Sequence, residues 1–337
     1  LSDLRFLQLK AWLNQIFDTH VTLALISGDA SFRRYFRLSL DSKTYIVMDS
    51  PPKLIPVTPF INLAKAYENN GILSPQVIES NVEDGFLVLS DLGDVQLLSR
   101  LNIDTVSGYY SQALLLLDKI STIKNVGEIA LPLYDSAFVQ RELDIFSEWL
   151  IKHHLNLMLD VETQQMIEQA FEFLVVNADE QPKVGMHRDF HSRNLMLTPV
   201  TDGSEQLSVI DFQDAVLGPV TYDTVSLLRD CYIRWPDALV EDLMQKHYQH
   251  QVEIGLIAAD VSLSTYRRWF DLMGLQRHIK AAGIFARLNY RDNKPAYMAD
   301  IPMTLDYIVD ISARYPELEK FSCWVKETVI CEFKEKA

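Results

Sequence analysis

The apolar positions of this chain change their period along its length. Phe6, Leu9, Leu13 and Ile16 fall on one face at helical spacing, so a helix is expected to open the chain. Three strand-like runs follow, at 21–26, 35–40 and 44–48. In the second of these Phe36, Leu38 and Leu40 alternate with polar residues, and Asp41-Ser42-Lys43 turns the chain into the third. Pro51, Pro52, Pro56 and Pro59 mark a loop. A helix is expected over 60–70, stopped by Gly71 as a C-terminal cap, and two further strands at 76–80 and 86–89. Five strands and a helix make a small first lobe.

From Val95 on, the pattern is mostly helical. Asp104, Asp135 and Asp160 each stand where an N-cap is expected, ahead of amphipathic runs. The first run carries Val106, Tyr110, Leu114 and Leu117, the second reaches His154 and the third Asn177. Later helices are expected at 222–231, 239–255, 262–290, 304–315 and 318–334. The helical period breaks once, where apolar runs at 195–197 and 207–210 flank Thr201-Asp202-Gly203-Ser204, a hairpin turn by composition. A β-rich lobe over 1–92 and a larger helical lobe over 93–337 make an α+β chain, with its ligands expected between the lobes.

Length agrees with two lobes, since 337 residues exceed one small core. Lys plus Arg is 31 and Asp plus Glu is 46, a net charge of −15, which argues against nucleic acid as a partner. Cys231, Cys323 and Cys331 form no C-x-x-C pair, so neither a zinc site nor a disulfide framework is suggested. No apolar run approaches membrane-spanning length, and the first residues lack a signal-peptide pattern. A cytoplasmic protein with no membrane association and no obligate protein partner is expected. There is no internal repeat.

The chemistry concentrates between Met186 and Asp214. The chain there reads M-H-R-D-F-H-S-R-N-L-M-L, a polar turn, then L-S-V-I-D-F-Q-D. Asp189, Asn194 five residues later, and Asp211 stand beside the two strand-like runs, and a hairpin would bring Asn194 and Asp211 to the same end of two neighbouring strands. That suits a magnesium–nucleotide site. Mg²⁺ takes hard oxygen ligands, one or two carboxylates plus phosphate oxygens, which Asp211 and Asn194 would begin. Asp189 is then left to orient an acceptor hydroxyl and take its proton. The spacing H-x-D-x-x-x-x-N followed by an apolar-D-F is that of a kinase catalytic loop and its metal-binding aspartate, so a bilobal protein-kinase-like fold using ATP and Mg²⁺ is expected.

Neighbouring residues refine this expectation. His187 is read as a brace for the loop. His191 stands two after Asp189, where serine/threonine protein kinases usually carry lysine, which favours a small-molecule acceptor. Asp223, 12 residues after Asp211, is expected on the first turn of a helix, accepting loop N–H groups. So short a gap leaves no room for the long activation segment of protein kinases. Arg229 and Asp230 are a candidate structural pair.

The nucleotide side is less specific. Residues 27–34 contain one glycine, and Ser31, Arg33 and Arg34 could meet phosphates there; a solvated hairpin turn fits the same residues. Ser90, Asp91 and Leu92, followed by Gly93, read either as a hinge whose backbone pairs with adenine or as a plain strand-to-helix turn. The third strand reads Tyr45-Ile46-Val47-Met48-Asp49, without the lysine that kinases place there. Lys43, Lys53, Arg33 or Arg34 could substitute, and a lysine pairing with Glu68 is in doubt. On the acceptor side, Glu142 and Trp149 lie seven apart on one expected helix, and Arg287 and Tyr290 three apart on another; each pair could line a substrate site or simply pack.

H-R-D-F-H-S-R-N-L-M with I-D-F-Q-D resembles the aminoglycoside phosphotransferase family of kinase-like enzymes, which includes choline kinase-like members. The resemblance implies Asp189 as catalytic base and Asn194 and Asp211 as magnesium ligands. Longer pieces, G-D-A-S-F-R-R-Y-F-R at 28–37, V-M-D-S-P-P at 47–52, D-A-V-L-G-P-V-T-Y-D at 214–223, L-L-R-D-C-Y-I-R-W-P at 227–236 and A-R-L-N-Y-R-D at 286–292, resemble the anomeric kinases for N-acetylmuramate and N-acetylglucosamine. That resemblance implies phosphorylation of a sugar C1 hydroxyl in cell-wall recycling. A kinase for an aminoglycoside, choline or another amino alcohol is the nearest alternative. A pseudokinase that binds nucleotide without catalysis is the other, and the complete Asp189/Asn194/Asp211 set counts against it.

Overall fold

The computed structural model describes residues 3–26, 32–41, 43–200 and 203–336. They form two compact units. The first takes the chain up to Leu97, together with Val126–Glu128 and Leu195–Gln213; the second takes Leu98–Asn125, Ile129–Asn194 and the chain from Asp214 on. The expected cut at 92/93 thus differs from the observed division, chiefly in the hairpin around residue 200.

The first unit is built on a five-stranded antiparallel sheet in the order β1-β2-β3-β5-β4. Its strands are β1 (Leu23–Ile26), β2 (Arg34–Leu40), β3 (Lys43–Asp49), β4 (Val77–Asn81) and β5 (Phe86–Ser90). Helix α1 (Leu4–Phe17) begins at Asp3, whose carboxylate accepts the Phe6 N–H at 3.1 Å. Leu9 and Leu13 of α1 join Phe36, Leu38, Val47, Phe86 and Val88 of the sheet in one apolar core. The alternation read in β2 is that of a strand with one face on this core. Helix α2 (Thr58–Asn69) ends as expected at Gly71: its φ is +63°, the Gly71 N–H reaches Glu68 O at 3.0 Å, and the Ile72 N–H reaches Tyr67 O at 3.0 Å. Gly85 closes the β4–β5 turn at φ +74°, where a Cβ would lie 1.9 Å from the Ser50 carbonyl oxygen.

The hairpin of β9 (Leu195–Pro199) and β10 (Glu205–Val209) completes this unit. Backbone bonds tie it there, from Val209 N–H to Leu73 O at 2.9 Å and from Leu197 N–H to Val95 O at 2.8 Å. Beyond β10, the Phe212 ring lies 4.9 Å from those of both Phe60 and Tyr67 on α2. These contacts explain why the hairpin joins the sheet unit despite its place in the sequence.

In the helical unit, α3 (Val106–Ser121) does not start from Asp104 as expected. Thr105 is its N-cap, and the Asn102 side chain accepts the N–H groups of Asp104 and Thr105. Asp135 and Asp160 do cap, accepting from Phe138 N–H and Thr163 N–H at 2.8 Å each. They open α4 (Ser136–Ile145), which runs on as a π-helix to His154, and α5 (Val161–Glu180). Two short strands flank the loop that carries Asp189: β8 (Lys183–Met186) pairs antiparallel with β11 (Val216–Pro219), Met186 opposite Val216. Between α3 and α4 lie the two-residue strands β6 (Asn125–Val126) and β7 (Ile129–Ala130). Helices α6 (Tyr222–Leu228), α7 (Asp237–Glu253), α8 (Leu263–Asp292), α9 (Ile301–Ser312), α10 (Glu319–Trp324) and α11 (Ile330–Lys336) complete the unit. The long α8 is its spine, packing on α4, α5, α6 and α9. No helix among the described residues is long and apolar enough to cross a membrane.

Candidate active site

Residues 187–194 form a loop whose backbone is held by buried carboxylates. Asp223, on the first turn of α6, accepts the N–H of His187 at 2.6 Å and of Arg188 at 3.0 Å, the role expected for it. Asp230 does the same further along, accepting the N–H of Ser192 at 3.0 Å and of Tyr232 at 3.1 Å, and the Ser192 hydroxyl. This corrects the expected Arg229–Asp230 pair: the Arg229 guanidinium turns instead to Asp271, 2.6 Å away. His187 braces the loop from inside, its Nδ1 accepting the Asp189 N–H at 3.2 Å. Arg188 has φ +78°, a left-handed conformation that costs energy for a non-glycine residue and tends to persist at functional sites.

Asp189 and Asn194 are joined inside this loop. The Asn194 Nδ2 donates to the Asp189 carbonyl oxygen at 3.0 Å, and the His191 N–H donates to the same oxygen at 3.1 Å. With its nitrogen so engaged, the Asn194 amide has Oδ1 as its remaining polar atom. Burial acts to raise the pKa of Asp189, but nearby positive charge, that of Lys280 first, outweighs it and holds the carboxyl below the ordinary carboxylate range. Asp189 is therefore ionised at neutral pH. His191 goes the other way, its pKa lowered by burial, so its ring is neutral there.

Lys280 belongs to an arrangement that periodicity did not reveal. On α8, its Nζ lies 2.8 Å from Glu142 Oε1 and donates to the Tyr222 hydroxyl at 3.0 Å. Arg188 approaches the same Glu142 oxygen at 3.2 Å, while Glu142 Oε2 accepts from the Tyr134 hydroxyl at 2.6 Å and Gln276 at 3.3 Å. Glu142 is 4% exposed. Glu142, expected as a candidate lining residue of a substrate site, has its oxygens met by protein groups, and its charge holds two cations, Arg188 and Lys280. The pairing with Trp149 also changes, because the helix runs as a π-helix from Phe146 and wider turns shift the face. Trp149 stacks on His153 with ring centres 4.9 Å apart. Arg287 and Tyr290 do share a face of α8; Arg287 is half-buried, and the Tyr290 hydroxyl lies 2.9 Å from His154 Nδ1.

In the sheet unit, Asp211 lies two residues past β10 at φ +63°, its Oδ1 accepting from Gln213 Nε2 at 2.6 Å. The hairpin register pairs Leu195 with Val209; along the chain Asn194 directly precedes that ladder and Asp211 follows it by two residues. An amide oxygen and a carboxylate oxygen are each hard ligands of the kind magnesium takes alongside phosphate oxygens. Among the described residues there is no cluster of three His, Cys, Asp or Glu side chains able to hold a metal without a nucleotide.

The expected phosphate residues fare unequally. Ser31 lies outside the described residues. Arg34 stands directly opposite Asp49 across β2 and β3, and its guanidinium bonds Asp49 at 2.9 Å and also pairs with Asp3. Arg5 joins the same carboxylate at 3.0 Å, and Asp49 is 1% exposed. Arg33 is buried. Lys43 and Lys53 are exposed, and Glu68 accepts from Gln76 at 3.0 Å. At the expected hinge, Ser90 Oγ accepts the Gln76 N–H, Asp91 pairs with Arg37 at 2.7 Å, and the Leu92 carbonyl accepts from the Thr198 hydroxyl at 3.1 Å.

Residues 22–253 match the model of the phosphotransferase enzyme family. An N-acetylmuramate/N-acetylglucosamine kinase of Neisseria meningitidis serogroup B is 38% identical to this chain over 331 residues, 96% of each chain. A kinase of the same name from Pseudomonas aeruginosa is 37% identical over 94% of each chain. Among solved structures, the aminoglycoside phosphotransferase APH(2'')-Ib with ADP bound is similar at a TM-score of 0.60 and 14% identity, over 90% of this chain and 98% of that one.

Proposed function

The chain belongs to the phosphotransferase enzyme family, and from that premise we propose that it is an ATP-dependent kinase for the anomeric C1 hydroxyl of N-acetylmuramate and N-acetylglucosamine, acting in peptidoglycan recycling. Near-full-length identity to two kinases of those sugars supports the acceptor. The observation that carries the chemistry is Asp189: an ionised carboxylate on a loop whose backbone Asp223 and Asp230 hold from behind.

Phosphoryl transfer is mostly positioning and charge neutralisation. Asp189 orients the acceptor hydroxyl and takes its proton late, when the bond to phosphorus is largely made. The anomeric hydroxyl is more acidic than other sugar hydroxyls, because the ring oxygen withdraws electron density. A carboxylate of lowered pKa is therefore base enough. Glu142 keeps Lys280 and Arg188 beside Asp189, and this positive charge holds it ionised. Asn194 Oδ1 and Asp211 would hold Mg²⁺, which when bound neutralises charge on the nucleotide phosphates.

For the nucleotide, the backbone of Ser90, Asp91 and Leu92 pairs with adenine, steadied by the Arg37–Asp91 ion pair. Ser31 and Arg33 meet the phosphates in place of a third-strand lysine; Arg34 contributes through Asp49 and Asp3 instead. Trp149, Arg287 and Tyr290 line the sugar. A reaction that draws on ATP for cell-wall recycling belongs in the cytoplasm. The test is purified protein with Mg-ATP and N-acetylmuramate, N-acetylglucosamine, kanamycin or choline, read by ADP release. ADP release with the two sugars is expected; release only with kanamycin or choline would overturn the acceptor.

A further inference from the structure

One cation of the helical unit stands out against its neighbours. Arg277 on α8 is 7% exposed, and among the described residues its Nε and Nη1 are buried with no hydrogen-bond partner. Its guanidinium rests over the Tyr222 ring, 5.3 Å from the centre. A buried charge is costly unless it is paired and hydrogen-bonded. The same region meets that demand elsewhere: Lys280 has Glu142, Arg188 has Glu142, and Arg229 has Asp271. The carboxylates that act electrostatically on Arg277, Asp189, Asp223 and Asp230, are engaged otherwise. Asp223 accepts the N–H groups of His187 and Arg188, Asp230 those of Ser192 and Tyr232, and Asp189 faces the acceptor hydroxyl in the mechanism above.

We propose that Arg277 anchors an anionic group of the acceptor and so sets preference between acceptors. The proposal rests on the reading of the acceptor as N-acetylmuramate or N-acetylglucosamine. Those two sugars differ by one charge: N-acetylmuramate carries a lactyl ether carboxylate on C3, and N-acetylglucosamine a plain hydroxyl. A carboxylate is the partner a guanidinium is shaped for, planar and able to take two N–H bonds at once. Asp189 and Asp230 oppose an anion here and Lys280 favours it, so Arg277 tips the balance toward the charged sugar. Arg277 has no part in proton transfer; it is a specificity-determining residue.

The test is steady-state kinetics of wild type, Arg277→Met and Arg277→Lys on three acceptors: N-acetylmuramate, its carboxyl methyl ester, and N-acetylglucosamine. Arg277→Met should lower kcat/KM for N-acetylmuramate roughly ten- to a hundredfold more than for N-acetylglucosamine, mostly through KM. Arg277→Lys should recover part of that loss. The ester should be a poorer substrate than the acid for wild type, and the gap should close in Arg277→Met. Removing an unpaired buried charge should leave the melting temperature of Arg277→Met at or above that of wild type. Equal losses on both sugars, or a raised KM for ATP, would overturn the proposal by placing Arg277 with the nucleotide or the loop. If Arg277→Met does not fold, wild type decides alone: an ester used as well as the acid overturns it. A wild type inactive on both sugars overturns the acceptor reading, and this proposal with it, a result distinct from the others.

Discussion

Asp49 in the sheet unit and Glu142 in the helical unit are both buried carboxylates gripped by two cations, and they do different work. Arg34 faces Asp49 across the β2–β3 register and Arg5 reaches it from α1, so this clamp binds strand to strand and strand to helix. Glu142 grips Arg188, inside the loop of Asp189, and Lys280, on the helical spine. Its clamp sets the charge around Asp189. The same ionic chemistry is structural where both cations come from the scaffold, and, on the function proposed above, catalytic support where one comes from the loop of Asp189. The contrast also bears on the missing lysine: the sheet unit uses Arg34 to hold itself together.

Five changes would break or sharpen this contrast. The largest effect should come from Asp189→Asn, which keeps size and one acceptor oxygen but removes the proton sink. A loss in kcat of about a thousandfold or more is expected, with ATP still bound, as measured by turnover and nucleotide titration. A folded variant with near wild-type kcat would remove Asp189 from the reaction.

Next is Glu142→Gln, which leaves Arg188 and Lys280 without their shared charge. Breaking one partner of a buried pair should lower unfolding stability by about 3 kcal/mol, checked by denaturant titration. It should also lower kcat, because Arg188 and Lys280 lose the group that positions them. While both cations stay beside Asp189, loss of the Glu142 charge leaves their field less opposed and moves the acid limb of activity to lower pH; a limb moved to higher pH would show that the cations have left Asp189.

Asp223 gives a smaller, pH-dependent effect. Burial raises its pKa to about 7 from an ordinary 3.8. Between those values the folded protein holds a proton that the unfolded chain has released. This contribution to stability is present at low pH and is lost as pH rises through about 7. Between about pH 5 and about pH 8 wild type should lose about 2 kcal/mol more than Asp223→Asn, as read from denaturation midpoints. Parallel curves for the two proteins would show that the two loop N–H bonds offset burial.

The smallest effect should be that of Arg34→Ala on nucleotide use. Its pairs are partly exposed and Arg5 remains on Asp49, so stability should fall by about 1 kcal/mol and the KM for ATP should stay unchanged. Arg33→Ala should raise that KM roughly ten- to a hundredfold. The reverse outcome would give the phosphate role to Arg34 and make Asp49 its positioning partner.

Much of this was legible in the sequence. Period and turn chemistry located α1, the five strands, the Gly71 cap and the hairpin, because each buries one face or needs one special backbone angle. Motif spacing singled out Asp189, Asn194 and Asp211 as candidates, and read Asp223 as the acceptor of loop N–H groups that the structure shows it to be. The strands β8 and β11 escaped because four residues that include a glycine carry no period. Asp104 did not cap α3, because the Asn102 side chain turns the chain just ahead of it by accepting the N–H groups of Asp104 and Thr105, which puts Thr105 at the N-cap. Glu142, Lys280 and Arg277 were hidden for a deeper reason. Their roles depend on which charges meet inside the fold, and one-dimensional spacing along α4 and α8 does not encode a pairing between them.

The most direct measurement is the site of phosphate on the product. Wild type would be incubated with Mg-ATP and N-acetylmuramate, or with its C1 methyl glycoside, and the products assigned by phosphorus–proton NMR. The account predicts phosphate on C1 of the free sugar and no reaction of the glycoside. A glycoside phosphorylated at C6 would contradict it.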